Sequence, residues 1–307
     1  MAQEKIVQSI THLIDRDQLP HLLLYGPPGT GKTSTMVAAA KRMYGKQYAS
    51  MTLELNASDA RGIDVVRQQI KEFASTRQLF RQGVKLVILD EADALTSDAQ
   101  FALRRIMEQS TKNCRFCLIG NYVSKIIPAL QSRCTRFRFA PLAPAQIQSR
   151  LEHVAQQEGV PLTPDGAHAI LALSGGDMRR VLNLLQSTAM ACHGPVDEAA
   201  VYTTSGAPLP ADVKHILHVL WNESFGNATR QLSTLCTTKG YALADVLQNL
   251  TGQLLALELD DTTLAQLLDG MSAVEHRLAF GTDETLQLAS LVGVFVQTRS
   301  GMVAAAS

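Results

Sequence analysis

Apolar residues follow two regimes along the chain. Up to about residue 140, short apolar runs alternate with segments of helical period. The runs are Leu22-Leu23-Leu24-Tyr25, residues 51–55, Leu86-Val87-Ile88-Leu89, residues 116–119 and residues 136–139. A run of four apolar residues is too short for a buried helix and suits a parallel strand covered on both faces. The alternation predicts an α/β sheet with helices on both faces. Ser34 to Tyr44 is one predicted helix, and residues 65–73 hold another. In the latter, Val66, Ile70 and Phe73 share one face, while Arg67 and Lys71 share a second. Pro141, Pro144, Pro161 and Pro164 mark a change of composition, and from Ala145 the pattern is helical throughout. Predicted helices run over 145–158, 164–174, 178–190, 211–221, 225–236, 242–258, 262–278 and 285–305. Pro195, Gly206, Pro208 and Pro210 mark a second boundary. The leucines of 243–295 keep no strict heptad, so they read as core and not as a coiled coil. The expected division is 1–140, 141–205 and 206–307.

The first apolar run leads into Gly26-Pro27-Pro28-Gly29-Thr30-Gly31-Lys32-Thr33, followed by Ser34. A strand, a glycine-rich loop and a helix form the context of a phosphate-binding loop. Glycines let successive N–H groups turn inward toward phosphate oxygens, and the following helix adds its positive end. Lys32 is then placed for the β- and γ-phosphates and the Thr33 hydroxyl for Mg²⁺. The third run ends in Asp90-Glu91-Ala92-Asp93. At the C-terminal end of a parallel strand, Asp90 is placed to hold that Mg²⁺ and Glu91 to polarise an attacking water. The other reading is a helix start decorated with acids, because Ser97 and Gln100 have the spacing of a capping box. Asn121, at the end of the fourth run, either orients a water or is a turn residue. Arg133, in Ser132-Arg133-Cys134, is either a solvated arginine or one that serves a phosphate in a neighbouring subunit. Arg136-Phe137-Arg138-Phe139 suits a strand or a basic edge. Arg67 and Lys71 form either an ordinary charged face or a grip on a phosphate backbone. Arg179, in Gly175-Gly176-Asp177-Met178-Arg179-Arg180, opposes the helix dipole. Either a nucleotide phosphate or a salt bridge, for instance to Asp177, accounts for it.

Composition narrows the picture. The 307 residues are 46% hydrophobic and 18% charged, with a formal net charge of zero, so any nucleic-acid contact must come from local patches. Cys114 and Cys117 have a C-x-x-C spacing without a second pair, and at the start of a strand they read as buried thiols. No signal peptide is visible and no apolar run approaches the ~18 residues of a membrane span, which fits a reducing interior.

The segments GPPGTGKTS, LELNASDARGID, VILDEADALT, RFCLIGNYVSKIIPALQSRC, RFRF and SGGDMRRVLN together resemble the small subunits of replication factor C, AAA+ ATPases of the sliding-clamp loader. The likeness spans about Ile6 to Ala305. It implies an AAA+ P-loop ATPase core with a parallel sheet, a small helical lid and an all-α C-terminal collar. It implies ATP and Mg²⁺ bound by Gly26 to Ser34, with Thr33 and Asp90 at the metal. Glu91, Asn121 and Arg179 become catalytic, and Arg133 an arginine finger acting in trans. Arg67 and Lys71 fall in the helix that tracks the DNA backbone. The implied partners are the other subunits of a hetero-pentamer, the sliding clamp PCNA and primer–template DNA, in the nucleus. Relatives begin with a further ~30 residues, including a Trp-Val-Glu-Lys-Tyr-Arg-Pro-like segment around adenine and ribose, whereas this chain starts Met1-Ala2-Gln3-Glu4-Lys5. An adaptor subunit with a weak ATP site is therefore the alternative expectation. A homo-hexameric remodeller is a third, which the collar-like helices and the Ser-Arg-Cys box oppose.

Overall fold

The computed structural model describes residues 3–16, 18–58, 63–75, 83–192 and 194–306. Its contacts divide the chain into two compact units, Met1–Glu158 with Leu171–Asn183, and Gly159–Ile170 with Leu184–Ser307.

The first unit opens with helix α1 (Glu4–Asp15), strand β1 (Leu22–Tyr25), α2 (Lys32–Tyr44) and the short α3 (Tyr48–Met51). Then come β2 (Thr52–Asn56), α4 (Ile63–Ser75), β3 (Lys85–Asp90), α5 (Ser97–Ser110) and β4 (Cys114–Gly120). A one-turn α6 (Pro128–Gln131), β5 (Thr135–Arg138) and α7 (Pro144–Gln157) follow. Among the described residues the five strands form one parallel sheet in the order β2-β3-β4-β1-β5. Side chains alternate along a strand, so the inner strands β1, β3 and β4 each feed two cores. Leu23, Val87, Leu89, Phe116 and Leu118 pack with Ile70 of α4 and Leu103 and Met107 of α5. Leu22, Leu24, Leu86, Ile88 and Ile119 pack on the opposite face with Ile10 of α1 and Met36 and Ala40 of α2. Helices thus cover both faces, as the unbroken apolar runs require. Cys114 belongs to one core and Cys117 to the other, so the two cannot share a metal. Burial pushes the Cys114 thiol up to about 12 and Cys117 well above its ordinary value.

The inner position of β1, next to the edge strand β5, carries the phosphate-loop sequence to the sheet's C-terminal edge. There it lies between the ends of β4 and β5, with β3 one strand further on. Parallel order places every such strand end on the same edge. β5 is an edge strand with Arg136 and Arg138 exposed, which discourages pairing with another chain.

Helices α8 (Pro164–Ser174) and α9 (Met178–Ala191) each contribute to both units. The second unit adds α10 (Glu198–Ser205), α11 (Pro210–Asn222), α12 (Phe225–Lys239), α13 (Leu243–Leu254), α14 (Asp261–Ala279) and α15 (Glu284–Ala306). Its core joins Val213, Ile216 and Leu220 of α11 to Leu247 and Leu250 of α13, Leu267 and Met271 of α14, and Leu291 and Phe295 of α15. Helix α10 lies where the prolines and Gly206 predict only a loop. Asp197 caps it, its carboxylate accepting from Ala200 N at 2.8 Å.

Candidate nucleotide-binding site

Gly26 to Thr33 form the loop between β1 and α2, and α2 begins at Lys32, two residues before the predicted start. Lys32 and Thr33 therefore sit in the first turn, where backbone N–H groups lack helical partners. Gly29 has φ +66°, and a Cβ there would lie 1.7 Å from Asp177 Oδ1. Gly26 has φ +142°, and a Cβ there would meet the Phe139 carbonyl oxygen at 2.1 Å. Glycine is required at both positions by conformation and by space.

Lys32 is buried. Its Nζ donates to the carbonyls of Gly26 (2.8 Å) and Pro27 (2.7 Å) and to Asn121 Oδ1 (2.9 Å). Burial holds its pKa below the usual lysine value and the Arg179 charge adds to that, while Asp90, Asp93 and Asp177 oppose it. The Thr33 hydroxyl donates to Asp90 Oδ2 at 2.7 Å. Glu91 N donates to Asp90 Oδ1 at 2.9 Å, and Glu91 itself adopts φ +54°, the left-handed region that a non-glycine residue rarely occupies. The loop, Asp90, Glu91 and Asn121 are thus brought together by three strand ends.

Arg179 lies at the start of α9. Asp177 caps this helix, accepting the backbone N–H of Arg179 at 2.8 Å and of Arg180 at 3.4 Å. The Asp177 carboxylate thus meets backbone amides, and Arg179 lines the cavity beside Lys32 and Glu91. This cavity, about 1360 Å³, belongs wholly to the first unit. Beyond the loop its walls are Val7, Ile10 and Thr11 of α1 and Gln146, Arg150 and His153 of α7, which the sequence reading did not assign to the site.

Arg133 is not brought to this cavity. Its guanidinium donates to the Ala129 carbonyl at 2.7 Å and to Glu108, which also accepts from Arg104 Nε at 3.0 Å. Lys71 is exposed on α4, while the Arg67 side chain lies outside the described residues, as do Asp59, Ala60, Arg61 and Gly62.

Two further residues, Gln100 and Asp93, pin the segment that follows β4. Gln100 is not part of a capping box. Thr96 is the N-cap of α5, and its hydroxyl accepts from Ala99 N at 3.4 Å. The buried Gln100 amide donates to the carbonyls of Leu95 (3.1 Å) and Lys125 (2.9 Å) and accepts from Ile127 N (2.7 Å). Asp93 Oδ2 accepts the N–H groups of Asn121 and Tyr122, each at 3.0 Å.

Residues 22–142 match the profile of the ATPase family associated with various cellular activities (AAA), and residues 208–294 that of the replication factor C C-terminal domain. Replication factor C subunit 5 of Homo sapiens is 53% identical over 307 residues, covering 100% of this chain and 90% of that protein. Replication factor C subunit 3 of Oryza sativa subsp. japonica is 50% identical, covering 99% and 85%. The chain belongs to the replication factor C family. Replication factor C subunit 3 of Saccharomyces cerevisiae (strain ATCC 204508 / S288c) is also similar, at 46% identity over 95% of this chain and 87% of the relative. The expected likeness to replication factor C subunit 5 rested on FASTRQLF, AQFALRRIMEQ and IIPALQSRCTRFRF. A solved structure of the Aeropyrum pernix ORC1 protein in complex with DNA shares the fold, with a TM-score of 0.58 at 19% identity over 91% of this chain and 84% of that one. As a replication factor C chain with an AAA domain, it is a nucleotide-binding ATPase subunit of a multi-subunit assembly.

Proposed function

We propose that this chain is an ATP-hydrolysing subunit of the hetero-pentameric clamp loader, which opens the sliding clamp PCNA and closes it around primer–template DNA in the nucleus. The observation that carries the reading is the convergence of Lys32, Thr33, Asp90 and Asn121 at one sheet edge, joined by hydrogen bonds of 2.7 and 2.9 Å. We divide the chain functionally into the ATPase core 1–140, a lid 141–205 and a collar 206–307.

The donors present fit Mg²⁺. A threonine hydroxyl and one carboxylate already converge, both hard oxygen donors. Mg²⁺ keeps water and takes phosphate oxygens in place of an all-protein cage. Thr33 and Asp90 would hold it. Bound there, the ion would supply positive charge that offsets the charge of the phosphates. The loop from Gly26 to Ser34 presents N–H groups to the phosphates, and α1 and α7 wall the side on which the nucleoside fits. Lys32 exchanges the Gly26 and Pro27 carbonyls for phosphate oxygens. Glu91 accepts a hydrogen bond from the attacking water and polarises it, and Asn121 orients it. Arg179 balances the developing charge from the start of α9. Arg133, held away from its own cavity by Glu108 and Ala129, serves the nucleotide of the neighbouring subunit. Arg67 and Lys71 contact the DNA backbone, so loading follows duplex structure and not sequence.

The adaptor alternative makes a different prediction. Binding of a fluorescent ATP analogue to the wild-type chain and to Lys32→Ala separates the two. The ATPase reading expects strong loss of binding in the variant, and equal binding by both would refute it.

A further inference from the structure

We infer that Asp93 is a positioning residue that braces Glu91 against Asn121, fixing the gap in which the attacking water is held. The inference rests on the ATP-hydrolysing reading of this site and adds a residue to it. Asp93 does not line the nucleotide cavity; its charge reaches Lys32, and its carboxylate contacts backbone beside the cavity. It sits in the single 3-10 turn Ala92–Ala94, directly after Glu91. That turn is closed by Ala94 N donating to Glu91 O at 2.8 Å, and anchored by Ala92, which is buried. The position of Asp93 is thereby tied to the left-handed backbone of Glu91.

On the other side, the ladder between β1 and β4 ends at the Tyr25–Gly120 pair. Asn121 and Tyr122 lie past that end. Asp93 Oδ2 accepts both of their N–H groups, at 3.0 Å each. Charge-assisted bonds of this kind are about twice as strong as neutral ones. Asp93 Oδ1 packs on the same strand end, 3.0 Å from where a Gly120 Cβ would stand. One carboxylate thus joins the turn that follows Glu91 to the turn that carries Asn121. The Asn121 side chain is in turn held by Lys32 Nζ. Without Asp93, Asn121 keeps a side-chain partner but loses its backbone anchor. The distance between Asn121 and Glu91 is then no longer set.

The test uses the full complex, reconstituted with partner subunits in which the glutamates corresponding to Glu91 are replaced, so that turnover reports this site. Asp93→Ala should lower kcat by about a hundredfold, the loss expected from a displacement of about 1 Å, with nucleotide affinity little changed. Asp93→Asn, whose amide oxygen still accepts both N–H groups, should restore most of kcat. Hydrogen exchange of the peptide spanning residues 118–124 should quicken in Asp93→Ala and not in Asp93→Asn. Wild-type kcat in Asp93→Ala, equal impairment of the two variants, or unchanged exchange would each overturn the brace. Glu91→Gln serves as the control. If it leaves turnover untouched, the hydrolytic reading fails, while the exchange measurement still decides the brace.

Discussion

Lys32 is held by three acceptors, two of them carbonyls of its own loop, so its ammonium is already oriented where phosphate oxygens would arrive. The loop tolerates this only because its glycines accept conformations and contacts closed to other residues. Gly29→Ala combines φ +66° with a collision against Asp177. Backbone strain of about 1–3 kcal/mol predicts at least a roughly tenfold loss of nucleotide affinity. Titration with a fluorescent ATP analogue checks it. A second residue-scale prediction concerns His21. Its Nδ1 accepts from Phe116 N at 3.1 Å, and burial, aided by the charge of Arg115, holds its pKa down at about 4. An unfolded histidine titrates near 6.5. The unfolded chain therefore binds the proton first. The stability from neutral His21 is complete above about 6.5 and is lost as pH falls toward 4. Urea denaturation at a series of pH values should show that slope, and His21→Asn should flatten it. The phosphate loop and the strand-end acids were legible in sequence because their chemistry is local. Asp93 and Gln100 were not, since their partners lie 28 or 29 and 25 or 27 residues away across the sheet.

At the scale of elements, β1, β3 and β4 were legible from short apolar runs, whose burial on both faces suits a parallel sheet, and β2 and β5 from alternation of apolar and polar residues. The ends of helices were less so. The start of α5, predicted with Ser97 and Gln100 as a capping box, is instead capped by Thr96, and the Gln100 side chain is drawn inward to the carbonyls of Leu95 and Lys125 and the amide of Ile127. Gln100→Ala leaves those buried groups unsatisfied and should cost about 1–3 kcal/mol in chemical denaturation. In the second unit, Gly270 of α14 faces Val294 of α15 so closely that a Cβ would lie 2.5 Å from its methyl carbon. Gly270→Ala should destabilise by about 1–3 kcal/mol through overpacking. Adding Val294→Ala should recover part of the loss, as a double-mutant cycle would measure. Helix periodicity shows that a face is buried but not how near its neighbour comes, so this contact had no signal in sequence.

At the scale of the whole molecule, the chain's own cavity contains a nucleotide cradle and lacks Arg133, which Glu108 and Ala129 hold elsewhere. A site completed from a neighbour is the arrangement that makes hydrolysis depend on assembly. Arg133→Ala should therefore leave nucleotide binding by this chain unchanged and slow hydrolysis at the adjacent subunit, by about 10³-fold or more if it acts as other arginine fingers do. Single-turnover hydrolysis in complexes with one competent site would locate the loss. On this mechanism, nucleotide held at Lys32 drives clamp loading. The most direct measurement is transfer of a fluorescent clamp onto primer–template DNA by the reconstituted pentamer, with this subunit wild type or Lys32→Ala. ATP-dependent loading should fall sharply in the variant, while the five subunits still assemble. Equal loading by both complexes would contradict this mechanism.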